Sequence, residues 1–237
     1  MSKVVFLTDH KSGSAMMYQL KEAYRLNTNL NIDFQNFYMW NVNKWDSNNK
    51  YIVIIRNPRE IIISGYLYHK SVSIKKEGWI HGGNYWGGWE RFFSKEDKEL
   101  YKDYLEKALI KDDYQDVLKN LSQNKGILYE MKNIADLTLR GRDLILDKWK
   151  DKDNVLFIQF NDMIWKMESV VKNISNFLNV SDEKVKEEMS KHSIINKGDK
   201  VDWSHVTNKE LEKDRYLKYW NKRLEKKFLK KKYCYLS

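Results

Sequence analysis

The chain has 237 residues, of which 42% are hydrophobic and 32% are charged, and its formal net charge is +10 at pH 7. This composition suits one domain spanning residues 1–237 and argues against disorder by charge excess, and no apolar run is long enough to cross a membrane. The single cysteine, Cys234, cannot form an internal disulfide. The first residues predict a strand, and we expect no signal peptide. We therefore expect a cytoplasmic protein without a structural zinc site.

Apolar and β-branched runs predict strands, and apolar residues at helical spacing predict the helices between them. The expected strands are residues 3–7, 32–37, 51–56 and 155–160. The expected helices are residues 15–27, 59–70, 97–122, 131–149, 162–178, 182–191 and 208–230. Strands that alternate with helices predict an α/β fold, a three-layer sandwich with a mainly parallel central sheet and a phosphate-binding strand-loop-helix.

The loop at residues 8–14 separates the first predicted strand from the first predicted helix. Gly13 lets the main chain approach a ligand closely, and the N-terminal end of the following helix favours an anion. Lys11 adds a positive charge, and Ser14 adds a hydroxyl. The nucleoside-triphosphate signature GxxxxGK[ST] is absent, because the lysine precedes the glycine. Taken alone, this segment is either a phosphate-binding loop or a solvated turn.

A second segment with phosphate-binding chemistry follows the strand predicted at residues 51–56. Pro58 is the only proline of the chain and fits the first turn of a helix. Arg56 then lies at the end of the strand, and Ser64 lies two turns into the helix. A guanidinium offers a planar fork of donors that suits a phosphate, and a serine hydroxyl can add a further contact.

At these two segments the chain resembles the PAPS-dependent sulfotransferase family, which has a P-loop-like fold. The family's 5′-phosphosulfate loop reads like TYPKSGTTW, against residues 8–16 here, and its 3′-phosphate segment reads like RNPKDVAVSYYHF, against residues 56–69. Residues 196–207 are similar to its RKGxxGDWxxxFT motif, and residues 154–163 to its late strand and YEDL-type end. The resemblance runs from about residue 3 to about residue 207.

The resemblance implies transfer of a sulfuryl group from 3′-phosphoadenosine 5′-phosphosulfate to a hydroxyl or amine of a small-molecule, glycan or lipid acceptor. The product nucleotide would be 3′,5′-bisphosphoadenosine, and no metal is expected. Lys11 is the candidate for stabilising the charge that develops on the leaving phosphate. The implied nucleotide-binding residues are His10, Lys11, Ser12, Gly13, Ser14, Ala15, Arg56, Ser64, Lys197 and Gly198.

The chain also departs from the family pattern. His10 replaces a proline, Met16 replaces a tryptophan, and Asn196 replaces an arginine. The KTHLP segment that carries the family's catalytic histidine has no counterpart, since residues 27–50 contain no histidine. The general base must therefore come from elsewhere in the chain.

Three residues are candidates for the general base. Glu130, a carboxylate within the largely apolar residues 126–131, is the first choice. His69 lies at the end of the predicted 3′-phosphate helix, and His81 lies in a loop at residues 78–89 that holds five of the ten glycines. That loop is either an aromatic lid over the acceptor or a surface loop. Each candidate also has a structural interpretation: Glu130 as a charge at a helix start, His69 as a packing residue and His81 as a surface residue.

Positive charge is concentrated near the C-terminal end, where residues 209–232 contain 11 Lys or Arg and 4 Asp or Glu. The favoured interpretation is a helix whose apolar face packs on the domain while its lysines are exposed to solvent. The alternative is a segment that binds nucleic acid or an anionic membrane surface. Two alternatives to a sulfotransferase stay open, a kinase-like phosphotransferase and a basic nucleic-acid-binding protein. The sequence does not predict the oligomeric state.

Overall fold

The computed structural model describes residues 2–36, 42–71, 114–192 and 214–231, and residue 233. The four strands of this part of the chain are β1 (Val4–Thr8), β2 (Ile32–Asn36), β3 (Lys50–Ile55) and β4 (Val155–Gln159). Its α-helices are α1 (Ser14–Asn27), α2 (Pro58–Ser71), α3 (Tyr114–Asn120), α4 (Gln123–Lys132), α5 (Ile134–Trp149), α6 (Phe160–Trp165), α7 (Met167–Leu178), α8 (Glu183–His192) and α9 (Lys222–Leu229). A short 3₁₀ helix covers Arg215–Lys218.

The four strands form one parallel sheet in the order β2-β1-β3-β4. The chain leaves β1 toward β2 on one side and later returns to β3 on the other side, so the strand order reverses beside β1. In an open α/β sheet, ligands bind outside the carboxyl ends of the strands at such a point. The α/β fold with a mainly parallel sheet, predicted from the sequence, is confirmed.

The described residues form two compact units, each built from two separate stretches of chain. The first contains the residues up to Arg56 and those from Gly141 to His192, and therefore the whole sheet. The second contains Asn57 to Arg140 and the residues from Asp214 onward. Because both units are discontinuous in sequence, neither is a contiguous domain, and the expectation of one domain over residues 1–237 stays a prediction.

Side chains that alternate along the strands cover both faces of the sheet in the first unit. On one face, Phe6, Ile52 and Ile54 pack with buried residues of α1, α7 and α8. On the other face, Leu7 and Val53 pack with buried residues of α5. β1 and β3 are buried along nearly their whole length and read as continuous apolar runs, whereas β2 and β4 are mostly half-buried. All four strands were predicted within one residue at each end.

The second unit has its own apolar core, formed by α2, α3, α4, the first part of α5 and the C-terminal segment. The core residues that are at most 1% exposed are Ile61, Ile62, Leu118, Ile127, Met131, Leu139, Leu224 and Phe228. Leu224 and Phe228 belong to α9, so this helix docks through its apolar face as predicted. The exposed side of α9 carries Lys222, Arg223, Lys226 and Lys227.

Several helix boundaries differ from the prediction. The helix expected at residues 131–149 is two helices, α4 and α5, so Glu130 lies inside α4 rather than at a helix start. The helix expected at residues 162–178 is interrupted at Lys166, whose φ of −139° is not helical. The C-terminal helix expected at residues 208–230 is broken before α9, because Asn221 caps a new helix by accepting the N–H groups of Arg223 and Leu224.

Candidate functional site

The loop after β1 has an unusual main-chain conformation at two positions. Lys11 has a φ of 58° and Gly13 a φ of 101°, both in the left-handed region. Gly13 also packs closely, since a Cβ atom at this position would lie 2.5 Å from the ring of Phe160. A side chain at residue 13 would therefore be both strained and blocked.

Asp9 organises this loop through its main chain and its side chain. Its carbonyl accepts hydrogen bonds from the N–H of Ser12, at 3.0 Å, and from the hydroxyl of Ser14, at 3.3 Å. Its carboxylate accepts the N–H of His10 at 2.6 Å. These hydrogen bonds hold the turn that has Lys11 at its tip.

The loop has the features of an anion site. The Ser12 hydroxyl is fully buried, and its oxygen has no hydrogen-bond partner among the described residues. Helix α1 begins at Ser14, has no acidic residue in its first turn and has no side-chain cap, so its first N–H groups and its positive dipole end remain for a ligand. Lys11 and Ser14 are half-buried beside it. An oxyanion would satisfy the buried hydroxyl, since a buried polar group without a partner is unfavourable.

Arg56, at the end of β3, contacts this loop directly. Its Nη1 donates a 2.7 Å hydrogen bond to the main-chain carbonyl of Lys11. Its Cζ lies 4.2 Å from the ring centroid of Phe160, a cation–π distance. The structure therefore brings together two residues that the sequence placed in separate phosphate-binding motifs.

The sheet explains why these residues meet. β1 and β4 both pair with β3 in parallel, with Leu7 opposite Val53 and Ile55 opposite Gln159. The segments that follow the three strands begin at the same edge of the sheet, because the carboxyl ends of parallel strands meet there. Lys11, Arg56 and Phe160 each lie just beyond one of these ends.

Glu130 and His69, two candidates for the general base, are in contact in the second unit. Oε2 of Glu130 lies 2.9 Å from Nδ1 of His69 and accepts the Tyr114 hydroxyl at 2.7 Å. Both Glu130 and His69 are fully buried. An acceptor can reach either side chain only if the residues that cover them move. The carboxylate favours a proton on Nδ1, and this contact orients the imidazole ring.

Helix α2 carries two further features of this unit. Ser64 is buried on α2, 6% exposed. The next residue, Gly65, leaves room for the glutamate, since a Cβ atom there would lie 2.5 Å from Oε1 of Glu130. The carboxylate is thus held by packing on one oxygen and by hydrogen bonds on the other.

The remaining predicted residues are distributed as follows. His10 is half-buried and Ala15 is exposed at the start of α1. His81, Lys197 and Gly198 lie outside the described residues, as do the loop at residues 78–89 and the segment at residues 196–207. No three His, Cys, Asp or Glu side chains in the described ranges are grouped so that they could hold a metal ion. In the same ranges, no helix is long and apolar enough to cross a membrane.

Sequence reasoning missed the roles of two residues, Asp9 and Phe160. Asp9 directly follows β1 and precedes the predicted nucleotide-binding residues at positions 10–15, but the sequence assigns it no role. Phe160 was assigned to the end of a strand and its ring to no site. The usable signal for Phe160 was positional: it ends a predicted parallel strand, and ligands bind at that edge of such sheets.

Comparison with known proteins supplies the family. A family model described as "Sulfotransferase domain" matches residues 34–233, which is most of the chain. The match begins after the loop of Lys11, so the interpretation of that loop as an anion site depends on its geometry and not on the family match. A search of curated proteins found no match.

Among solved structures, the chain is similar to the crystal structure of mouse sulfotransferase SULT7A1 complexed with PAP. The TM-score is 0.55 at 13% sequence identity, and the similarity covers 97% of this chain and 82% of the mouse chain. At this identity the likeness concerns the fold. It agrees with the four-stranded parallel sheet and its flanking helices.

Proposed function

Because the chain belongs to the sulfotransferase domain family and is therefore a sulfotransferase, we propose that its donor is 3′-phosphoadenosine 5′-phosphosulfate and that the loop after β1 binds the donor's 5′ end. In this proposal Lys11, Ser12 and Gly13 contact the phosphosulfate. His10, Ser14 and Ala15 complete the loop and the start of α1. Among the described residues, the buried Ser12 hydroxyl has no hydrogen-bond partner and the start of α1 has no side-chain cap, and both observations support this assignment.

We assign the 3′-phosphate to Arg56. The observation that carries the proposal is the hydrogen bond from Arg56 to the Lys11 carbonyl, because it joins one residue from each predicted phosphate-binding motif, and both residues belong to the first compact unit. A guanidinium forms charge-assisted, bidentate hydrogen bonds with phosphate. Ser64 keeps its predicted role as a phosphate-binding hydroxyl, and Lys197 and Gly198 keep theirs in the segment outside the described residues.

The transfer itself needs alignment, charge stabilisation and a proton acceptor. The acceptor oxygen or nitrogen forms a bond to sulfur while the bond from sulfur to the bridging phosphate oxygen breaks. The electron pair of the broken bond stays on that phosphate oxygen, where the ammonium of Lys11 would stabilise it. The acceptor's proton passes to a base on the enzyme. We include no metal and expect turnover to survive a chelator.

For the base we propose His69, oriented by Glu130. The 2.9 Å contact between Nδ1 and the carboxylate supports this order of roles, because it lets the carboxylate orient the imidazole ring. Glu130 acting directly and His81 stay as the competing assignments. The acceptor is a hydroxyl or amine of a small molecule, glycan or lipid, and we place the reaction in the cytoplasm.

A thermal-shift comparison tests the proposed donor. The protein is melted with 3′,5′-bisphosphoadenosine, with ATP and with single-stranded DNA, each at the same concentration. A ligand that binds only the folded protein raises the melting temperature. We expect the largest increase with the bisphosphate. A larger increase with ATP would favour a phosphotransferase, and one with DNA would favour a nucleic-acid-binding protein.

A further inference from the structure

Phe160 contacts two parts of the candidate donor site, although it has no polar group to offer a ligand. We propose that Phe160 is a positioning residue, which holds the Arg56 guanidinium in the orientation that selects a 3′-phosphate. This inference rests on the proposed function, since it assumes that Arg56 binds that phosphate. It adds a residue that acts through Arg56 and touches no reacting atom.

The first support is the way in which Arg56 is held. The ring of Phe160 lies 4.2 Å from Cζ, and the Lys11 carbonyl accepts a hydrogen bond from Nη1 at 2.7 Å. The ring restrains the guanidinium from its face, and the carbonyl restrains it through one of its N–H groups. A flexible side chain restrained at two points loses little further rotamer freedom when it binds an anion, which favours affinity.

The second support is the contact between Phe160 and Gly13. A Cβ atom at Gly13 would lie 2.5 and 2.6 Å from two ring carbons, so the ring occupies the space that a side chain would need. One ring thus packs against the glycine of the loop and against the arginine that contacts the same loop. The same side chain therefore packs against the loop and restrains the guanidinium that contacts this loop.

The third support is the place of Phe160 in the chain. It is the first residue of α6 and follows β4 directly, and β4 pairs with the strand that ends just before Arg56. Its ring is partly buried and packs against the core cluster of the first unit, and this packing restrains the ring. A rigid, anchored aromatic ring can restrain a guanidinium better than an aliphatic side chain, which has no π face.

The experiment compares variants of Phe160 in their preference for the bisphosphate over adenosine 5′-monophosphate. Phe160→Leu keeps apolar bulk beneath Gly13 but removes the π face, and Phe160→Tyr keeps both. The matched control is Phe177→Leu. Phe177 is also partly buried on the same core cluster, and the Nζ of Lys50 lies 5.1 Å from its ring centroid. Dissociation constants are measured by titration calorimetry, and melting temperatures are recorded for every variant.

We expect Phe160→Leu to reduce the preference for the bisphosphate about fivefold, a factor in the range of one cation–π contact. Phe160→Tyr and Phe177→Leu should keep the preference of the unmodified protein. If Phe160→Leu weakens both nucleotides equally, or behaves like Phe177→Leu, Phe160 is only a packing residue and the inference is wrong. If the unmodified protein binds both nucleotides equally, the proposed function itself is wrong and the inference falls with it.

Discussion

Nδ1 of His69 lies 2.9 Å from Oε2 of Glu130, and both side chains are fully buried in the second compact unit. The two residues are 61 positions apart in sequence and were separate candidates for one role. Because they are in contact, the two residues can act together, with the carboxylate orienting the imidazole. The first prediction separates the two roles.

Removing the imidazole should slow turnover most. We expect His69→Ala to lower kcat by about 10²-fold or more, the usual contribution of a general base, with the affinity for 3′,5′-bisphosphoadenosine unchanged. Glu130→Gln should lower kcat less, because the ring remains but loses the carboxylate that orients it. Steady-state kinetics and nucleotide titration check both variants.

The control for this pair is Tyr114→Phe, which removes a hydroxyl from the same carboxylate and leaves the contact with His69 in place. Its turnover should stay within a few-fold of that of the unmodified protein. If His69→Ala were fully active while His81→Ala lost its activity, the base would be His81. If only Glu130→Gln lost its activity, the carboxylate itself would be the base.

A methyl group at residue 65 should disturb the same cluster from the side of α2. In Gly65→Ala the new Cβ would lie 2.5 Å from Oε1 of Glu130, so the carboxylate must move away from its partners. We expect a destabilisation of about 1–3 kcal/mol, in the range of overpacked cores, measured by chemical denaturation. In a Glu130→Ala background the same change should cost much less, since nothing remains to clash. Equal costs in both backgrounds would contradict the packing account.

Lys11 should act in the transition state more than in binding. If its ammonium stabilises charge that develops only during transfer, Lys11→Ala should lower kcat at saturating donor by more than about tenfold. Lys11→Arg keeps the charge and should retain more of the turnover. An unchanged kcat in Lys11→Ala, with only KM raised, would make the lysine a binding contact alone.

The ion pair of Arg59 and Glu225 should make stability depend on pH. Arg59 donates from Nε to Oε2 of Glu225 at 2.9 Å and from Nη2 to Oε1, and the indole of Trp220 donates to Oε2 at 2.6 Å. The hydrogen bonds from Arg59, and then the one from Trp220, hold the pKa of Glu225 below its usual value. A lowered folded-state pKa gives stability that is present above the unfolded pKa and is lost as pH falls through the folded one.

Glu225→Gln should therefore melt at a lower temperature than the unmodified protein near neutral pH, and the gap should close as pH falls below the usual glutamate range of about 4. Melting curves across this range check the prediction. Asp147→Asn, which alters an exposed carboxylate on α5, should change the melting temperature little at any pH. A gap for Glu225→Gln that stays constant down to the lowest pH would mean that the carboxylate's charge contributes nothing.

The sheet was the most predictable part of the fold. Its two central strands, β1 and β3, are buried on both faces, and a run such as Tyr51 to Ile55 therefore reads as a strand without tertiary information. Helix ends were less predictable, because caps and packing decide them. Asn221 starts a new helix within a periodic apolar pattern. Glu130 lies inside a helix that begins at Gln123, whereas the prediction began a helix at residue 131.

The residues of the candidate site likewise differ in how far the sequence alone could predict them. Lys11, Gly13 and Arg56 could be found because each carries phosphate-binding chemistry within a short motif. For Phe160 the sequence offers only its place at the end of a strand, since the role proposed for it depends on contacts with Gly13 and Arg56, which are more than 100 residues away in sequence. The pairing of Glu130 with His69 was hidden for the same reason: only packing of their two helices brings them together.

The most direct measurement for the whole account is the affinity of the unmodified protein for 3′,5′-bisphosphoadenosine against adenosine 5′-monophosphate, repeated with Arg56→Ala. Losing a charge-assisted contact costs about 1.5–3 kcal/mol, so the unmodified protein should prefer the bisphosphate by about 10- to 150-fold. Arg56→Ala should lose most of that preference. Equal binding of the two nucleotides by the unmodified protein would contradict the proposed donor and the role assigned to Arg56.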